Sequence, residues 1–412
     1  MAPKFRFSDR NQVSMMALCL DDLLPREHEV RTLLAYVESM DLSMLIASVR
    51  TLAGEGGAPA FDPRMLLALW LYGTARGVGS ARLLEQMCRE SLPFRWLCAD
   101  DAPNYHTLAD FRTAHGDLLD ALLTENLAVL VSEGLLVPEE LTVAHDGIRV
   151  RASAGRSSFR RKPTLEQALV EASKRVQELK TEAGNEPRAD RARAAENRAA
   201  REREERVKKA IEKMKELEEK RRKKGRGAPR ISTTDPDAMR MKMGNGGYDP
   251  GYNIQITTAV GSGIITAVGV AGCGSDYGEL SPAVKQHKRR LGKLPTRILG
   301  DSGFAEYDDI IALDTIGCEA LVPDQNGTTL QGRKDPALDR WRDRMAKPEN
   351  MQTYKTDRPA NAEWTNAQLR NHGLRRITVR GRAKALVIAM WNALTHNILR
   401  TIALRNRLQA TA

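Results

Sequence analysis

Leu141-Thr-Val-Ala-His-Asp146-Gly-Ile-Arg-Val150 and Thr296-Arg-Ile-Leu-Gly-Asp301-Ser-Gly303 are the two stretches that decide the fold of this chain. Each places one aspartate within, or at the end of, an apolar run typical of a β-strand. Burial of an ionised carboxylate is costly unless a positive group neutralises it. A later acid, Glu363, opens a predicted helix. Two strand aspartates and a helical glutamate are suitable oxygen ligands for a pair of Mg²⁺ ions.

Composition indicates an intracellular protein with a polyanionic partner. The 412 residues are 42% hydrophobic, which is enough for two cores or for one core with a large appendage. Lys and Arg number 64 against 53 acidic residues, a net charge of +11, which favours nucleic acid as the partner. Charge alone leaves open a basic protein without that role. The five scattered cysteines, with no Cys-x-x-Cys pair, argue against a zinc finger or a disulfide framework.

No secretory signal or membrane span is expected. The first ten residues are charged and have no apolar segment. The longest apolar stretches, Met65 to Tyr72 and Ala385 to Trp391, are far shorter than the ~20 residues that a membrane helix needs.

Residues 1–137 are predicted to form an all-α domain. Asp62-Pro63 and Ser80 are helix starts, and Gly77-Val-Gly79 separates the two helices. This pair is either a helix-turn-helix unit that reads a DNA groove or a hairpin that only packs. Thr107 is predicted to cap a helix that runs to about Ser132.

Residues 138–412 are predicted to form an α/β domain into which residues 156–230 are inserted. The insertion is rich in Arg, Lys, Glu and Ala, and its apolar residues recur at heptad spacing on both sides of the turn Gly184-Asn-Glu-Pro187. This pattern predicts an antiparallel coiled-coil arm, with a solvated charged linker as the alternative. The apolar positions are Leu165, Leu169, Ala172, Val176 and Leu179 before the turn, and Ala192, Ala195, Ala199, Val207, Ala210, Met214 and Leu217 after it.

The rest of the chain predicts a hairpin, a helix and a further strand. The hairpin spans Gly251 to Val270, a helix begins near Ser281, and the strand Arg297 to Gly300 is expected to lie parallel to the first. A helix and a strand follow, residues 325–351 are expected to be irregular, and two helices close the chain. Strand, hairpin, helix, strand is the order of an RNase-H-like core.

The motifs resemble those of the DDE transposases of bacterial insertion sequences. The resemblance rests on Asp146-Gly followed by Ile and Val, on Gly300-Asp301-Ser-Gly-Phe304, and on Tyr354, Arg358 and Glu363. It is closest to the branch with a helical N-terminal domain and a Tyr-Arg-Glu-Lys signature, and it extends from about Leu24 to Arg400.

The resemblance implies an α/β RNase-H-like catalytic core with an inserted arm, preceded by a helical domain that binds DNA ends. Asp146, Asp301 and Glu363 would then be the catalytic residues and the ligands of Mg²⁺, for which Mn²⁺ could substitute. The implied DNA contacts are Tyr354, Arg358, Arg370 and, in the Thr-Leu-x-x-Phe-Arg run, Arg112.

Some positions depart from that signature or have competitors. The spacings before Glu363 are each one residue longer, and the last position is Arg370 in place of lysine. A strand-ending turn at Asp146, an Asx turn at Asp301 and a helix-dipole role for Glu363 are the structural alternatives. The rival phosphate contacts are Arg376, Arg380 and Lys384, and the rival acids are Asp235, Asp249, Asp276 and Glu306.

The predicted function is therefore that of a bacterial transposase in the cytoplasm, associated with the nucleoid. It would bind terminal inverted repeats in double-stranded DNA and catalyse cleavage and strand transfer as a homodimer or a larger synaptic complex. The alternatives are a catalytically inactive DNA-binding repressor derived from a transposase and an RNase-H-like nuclease.

Overall fold

The computed structural model describes residues 19–49, 59–181, 190–223, 228–244, 246–324 and 335–411. Among these residues, the α-helices before the first strand are α1 Glu29–Glu38, α2 Ser43–Ala47, α3 Pro63–Ala75, α4 Ala81–Glu90, α5 Leu92–Leu97, α6 Tyr105–Ala114 and α7 Gly116–Ser132. The later helices are α8 Lys162–Thr181, α9 Asp190–Lys223, α10 Leu280–Leu291, α11 Tyr307–Thr315, α12 Pro336–Ala346, α13 Pro348–Arg358, α14 Trp364–Asn371 and α15 Arg382–Thr411. The strands are β1 Thr142–Arg151, β2 Phe159–Arg160, β3 Ile231–Ser232, β4 Met239–Lys242, β5 Tyr248–Ala259, β6 Ile265–Val270, β7 Arg297–Leu299 and β8 Glu319–Leu321.

A mixed sheet forms the centre of the fold. Its strand order is β4-β5-β1-β7-β8. β4 and β6 both pair with the same edge of β5, β4 with its first half and β6 with its second half. β1 is antiparallel to β5 and parallel to β7, and β8 continues the parallel part. The predicted hairpin and the predicted parallel pairing of the first and later strands are thus confirmed. A separate small sheet joins β2 to β3.

One face of the sheet packs against the N-terminal helices together with the last helix. Trp70 of α3 and Trp391 of α15 are both fully buried, with ring centroids 6.4 Å apart. Every residue from Leu66 to Thr74 is buried, so α3 is a core helix. The helical N-terminal region therefore shares one hydrophobic core with α15 and with β1, β5 and β6.

The other face packs against the helices that flank the parallel strands. Val143 of β1 lies in this core with Phe304, which follows β7, and Trp341 of α12. Trp341 also donates its indole N–H to the carbonyl oxygen of Val322, 3.1 Å away. This second core holds α10 to α12 against the part of the sheet that carries Asp146 and Asp301.

The inserted segment contains two helices that run antiparallel. Ion pairs join opposite ends of α8 and α9, such as Lys162 with Glu218 and Arg175 with Glu196. Leu165, Ala210 and Met214 are buried between them, whereas the first predicted apolar positions of α9, Ala192, Ala195 and Ala199, are exposed. The predicted turn at residues 184–187 lies outside the described residues.

Three local predictions were wrong. Asn104, not Thr107, caps α6 because its side chain accepts the Thr107 N–H at 3.0 Å. The single helix predicted to run to Ser132 is divided into α6 and α7 at His115. Residues 336–351, predicted to be irregular, form α12 and the start of α13, which bury Trp341. Among the described residues, no helix is long and apolar enough to cross a membrane.

Candidate active site

The register of two parallel strands brings two predicted acids together. Ala144 of β1 pairs with Leu299 of β7, so Asp146 and Asp301 each lie two residues beyond that pair. Asp301 follows the end of β7, and its Oδ1 accepts the backbone N–H of Gly303 at 2.8 Å. The Asx turn that was the structural alternative for Asp301 is present, and it orients the carboxylate beside Asp146.

The third acid lies on a helical segment that contains a π-helical turn. α13 continues through the π-helical residues Pro359–Glu363 into α14. A π-turn accommodates one extra residue within an α-helix. Arg358 and Glu363, five residues apart, are therefore on the same side, and Nη1 of Arg358 lies 3.0 Å from Oε1 of Glu363. The extra residue in the sequence spacing is thus compensated by local backbone geometry.

All three acids contact the same guanidinium group. Nη2 of Arg358 lies 3.8 Å from Oδ1 of Asp146 and 3.9 Å from Oδ2 of Asp301, in addition to the Glu363 contact. We call Asp146, Asp301 and Glu363 the three-acid site. The Asp146 side chain is 17% exposed, against 42% for Asp301 and 58% for Glu363. The site is therefore buried on the β1 side and open on the helix side.

Asp146 lies in a setting that disfavours its charge. Burial raises the pKa of its carboxyl group to about 6, with the negative charges of Asp301 and Asp276 adding to the effect. The positive charge of Arg358 and the backbone N–H of Gly147 act in the opposite direction. Asp146 also accepts a hydrogen bond from the side-chain amide of Asn366 at 2.9 Å. The positive charge and hydrogen bonds near Asp146 thus do not fully offset the cost of burying its ionised carboxylate.

The four predicted DNA contacts occupy different settings. Tyr354 lies one turn before Arg358, and burial raises the pKa of its phenol, so this hydroxyl stays protonated. Arg370 is exposed, about two turns beyond Glu363. Arg112, by contrast, is buried in the helical core, where its guanidinium stacks on Trp70 at 4.4 Å and donates to the Gly79 carbonyl. We therefore assign Arg112 a structural role instead of the expected surface contact with phosphate.

The donor set fits a divalent cation chemically. The three-acid site offers only oxygen ligands, as Mg²⁺ prefers, and its buried member requires added positive charge. Among the described residues, no three His, Cys, Asp or Glu side chains are arranged closely enough to coordinate a metal ion. The Arg358 guanidinium lies between the carboxylates where a cation would be needed.

Sequence reasoning did not identify Asn366, which lies one helical turn after Glu363 and is directed at Asp146. Its position three residues after Glu363, on the same face of a predicted helix, could have indicated that this amide lies near the acids. Among the rival acids, Asp235 is fully buried and bonded to Tyr252, and Asp249 pairs with Arg156. Asp276 is close enough to Asp146 for its negative charge to raise the pKa of that carboxyl group.

Comparison with families of known proteins gave a match over the N-terminal helices. Residues 18–114 match the family model described as Transposase domain (DUF772). No curated protein and no solved structure matches the chain significantly. The matched region covers α1 to α6, and it points to a transposase, an enzyme class that cuts DNA and takes DNA as its partner.

Proposed function

We propose that this protein is a DDE transposase that binds the terminal inverted repeats of a bacterial insertion sequence and catalyses metal-dependent DNA cleavage and strand transfer. The observation that carries the proposal is the convergence of Asp146, Asp301 and Glu363, from three separate elements, on one positive group. The transposase-domain match over the N-terminal helices supports it independently.

The sheet topology supports an RNase-H-like core. The central strand β1 has antiparallel β5 on one side and parallel β7 on the other, with β6 and β8 outside them. The two antiparallel helices α8 and α9 follow β1 and correspond to the proposed coiled-coil arm. A nuclease that consisted of this core alone would not account for the N-terminal helices or the arm.

Asp146, Asp301 and Glu363 would hold two Mg²⁺ ions, with Mn²⁺ able to substitute. Such ions make an oxygen nucleophile available at neutral pH and neutralise the departing oxygen. Arg358 presents a guanidinium fork beside the carboxylates, where it can bind a phosphate of the scissile strand. Tyr354, whose hydroxyl is kept protonated, can donate a hydrogen bond to the same strand, and Arg370 can contact the backbone farther along α14.

The net charge of +11 suits double-stranded DNA as both the end and the target substrate. Two transposon ends must be held together for coordinated strand transfer, so we expect a homodimer or a larger synaptic complex. A repressor derived from a transposase binds DNA without cutting it, so its function would not require three acids at one site.

The test is cleavage of a plasmid that carries the DNA flanking the reading frame, with Mg²⁺ present. Asp146→Asn, Asp301→Asn and Glu363→Gln should each abolish cleavage, because each removes one carboxylate ligand, while the variants still shift the same DNA in a gel. Glu349→Gln is the matched control, because Glu349 is an exposed acid in the first turn of α13. Full cleavage by any one acid variant would remove that residue from the site, and the absence of cleavage by the unaltered protein would contradict the proposal.

A further inference from the structure

We infer that Asp276 is a fourth carboxylate of this site and supplies an additional oxygen ligand on the Asp301 side. The inference rests on the proposed function, because it extends the cation site proposed there. Asp276 lies in the segment that joins β6 to α10, next to the part of β1 that carries Asp146.

The missing side chain of Gly147 creates the space for this carboxylate. A Cβ atom at Gly147 would lie 2.7 Å from Oδ1 of Asp276 and 2.7 Å from Oδ1 of Asn253. Contacts that short do not occur for real side chains, so any residue other than glycine would push Asp276 away from the sheet. The Asp276 carboxylate therefore occupies a gap adjacent to Asp146 in the chain.

Two amide groups hold Asp276 without neutralising it. Oδ1 accepts hydrogen bonds from Nδ2 of Asn253 at 2.7 Å and from Nε2 of Gln255 at 3.0 Å. Both donors lie on β5, where Gln255 pairs with Gly147. Both donors are neutral amides, and no Lys, Arg or His side chain of the described residues forms an ion pair with Asp276.

The second oxygen of Asp276 faces the turn that carries Asp301. A Cβ atom at Gly303 would lie 3.7 Å from Oδ2 of Asp276 and 2.9 Å from Oδ1 of Asp301, so both carboxylates border the same point. No hydrogen-bond donor in the described ranges contacts Oδ2 of Asp276. This oxygen thus lies near the turn that carries Asp301.

A separate observation points to a ligand at this position. Asn253 is 2% exposed, and its Oδ1, which lies beside Oδ1 of Asp276 around Gly147, has no hydrogen-bond partner among the described residues. Buried acceptors normally have a donor, a water molecule or an ion as partner. A hydrated divalent cation beside Asp276 would supply such donors through its water molecules.

The test is titration of the full-length, DNA-free protein with MgCl₂, and separately with MnCl₂, by calorimetry. Asp276→Asn should weaken cation binding about 10- to 100-fold, which is the usual cost of losing a group that supports a metal site. Gly147→Ala should act in the same direction because its methyl group displaces Asp276. Gly269→Ala is the matched control, because a Cβ there makes only an ordinary 3.6 Å contact with Gln255.

The outcomes separate this inference from the proposed function. Unchanged cation affinity in Asp276→Asn, with reduced affinity in Asp146→Asn, overturns the role of Asp276 and leaves the three-acid site intact. An unaltered protein that binds neither cation contradicts the metal-dependent function and, with it, this inference. Thermal unfolding of each variant shows whether a loss of affinity reflects a loss of folded protein.

Discussion

Two acidic clusters of this protein have opposite electrostatic characters. In the first, the three-acid site, one guanidinium serves three carboxylates. In the second, which we call the Asp237 cluster, Asp237 accepts hydrogen bonds from two lysines of α9 and from the backbone N–H that begins α15. The Asp237 cluster consists of Asp235, Asp237, Lys209, Lys213 and Tyr252.

The acidity of the central aspartate in each cluster reflects this difference. Burial would raise the pKa of Asp237, but the hydrogen bonds from Lys209 and Lys213 lower it to about 2. Burial raises the pKa of Asp146 to about 6, and the single Arg358 does not reverse the effect. The Asp237 side chain, 8% exposed, is even less accessible than that of Asp146, at 17%. Charge compensation therefore distinguishes the Asp237 cluster, where two lysines pair with one aspartate, from the three-acid site, where three carboxylates share one guanidinium.

The largest expected effect follows from removing the guanidinium of Arg358, which contacts all three carboxylates. Arg358→Ala should reduce DNA cleavage about 10²- to 10³-fold, the usual cost of losing one donor to a reacting group. The reason is that the guanidinium both contacts the carboxylates and, in our proposal, binds the phosphate. Cleavage rates at saturating Mg²⁺ measure the effect, with Arg340→Ala, an exposed arginine of α12, as the control outside the site. Equal rates for Arg358→Ala and the unaltered protein would remove Arg358 from the catalytic site.

The second effect concerns stability of the cation-free protein. Because the carboxyl pKa of Asp146 is raised, the folded state binds this proton more tightly than the unfolded state does. The protonated Asp146 therefore stabilises the fold below pH 4, and this stabilisation is lost as the pH rises through 6. The change amounts to about 3 kcal/mol of unfolding free energy. Asp146→Asn should therefore gain stability relative to the unaltered protein between pH 4 and pH 7, as urea unfolding in EDTA measures. Parallel pH profiles for the two proteins would show that Asp146 is already neutralised.

The smallest effect is of the opposite sign and belongs to the Asp237 cluster. A lowered carboxyl pKa stabilises the folded state above pH 4, and this contribution is lost as pH falls toward 2. Asp237→Asn should therefore cost about 2 kcal/mol at pH 7 and progressively less below pH 4. Urea unfolding at several pH values measures it, and Asp22→Asn, an exposed acid in the N-terminal region, is the control. A cost that does not depend on pH would mean that packing, not charge, makes Asp237 important.

Patterns along the chain predicted much of the fold, because they reflect local rules. The strand β1, the caps at Asp62 and Ser80 and the hairpin of β5 and β6 depend on neighbouring residues, and all are present. The division at residues 137 and 138 stays a prediction, since α15 packs into the same core as the N-terminal helices. The catalytic roles of Asp146, Asp301 and Glu363 also stay predictions, although the structure does bring these acids together.

By itself, the sequence determined most of the helices and strands and identified three distant acids as candidate partners, because periodicity and charge are properties of the chain. Only the tertiary structure decided how individual side chains are used. Arg112 packs on Trp70, Arg358 lies among three carboxylates because of a π-turn, and Asp276 occupies the gap at Gly147. These placements depend on contacts between residues far apart in the chain, so no local pattern encodes them.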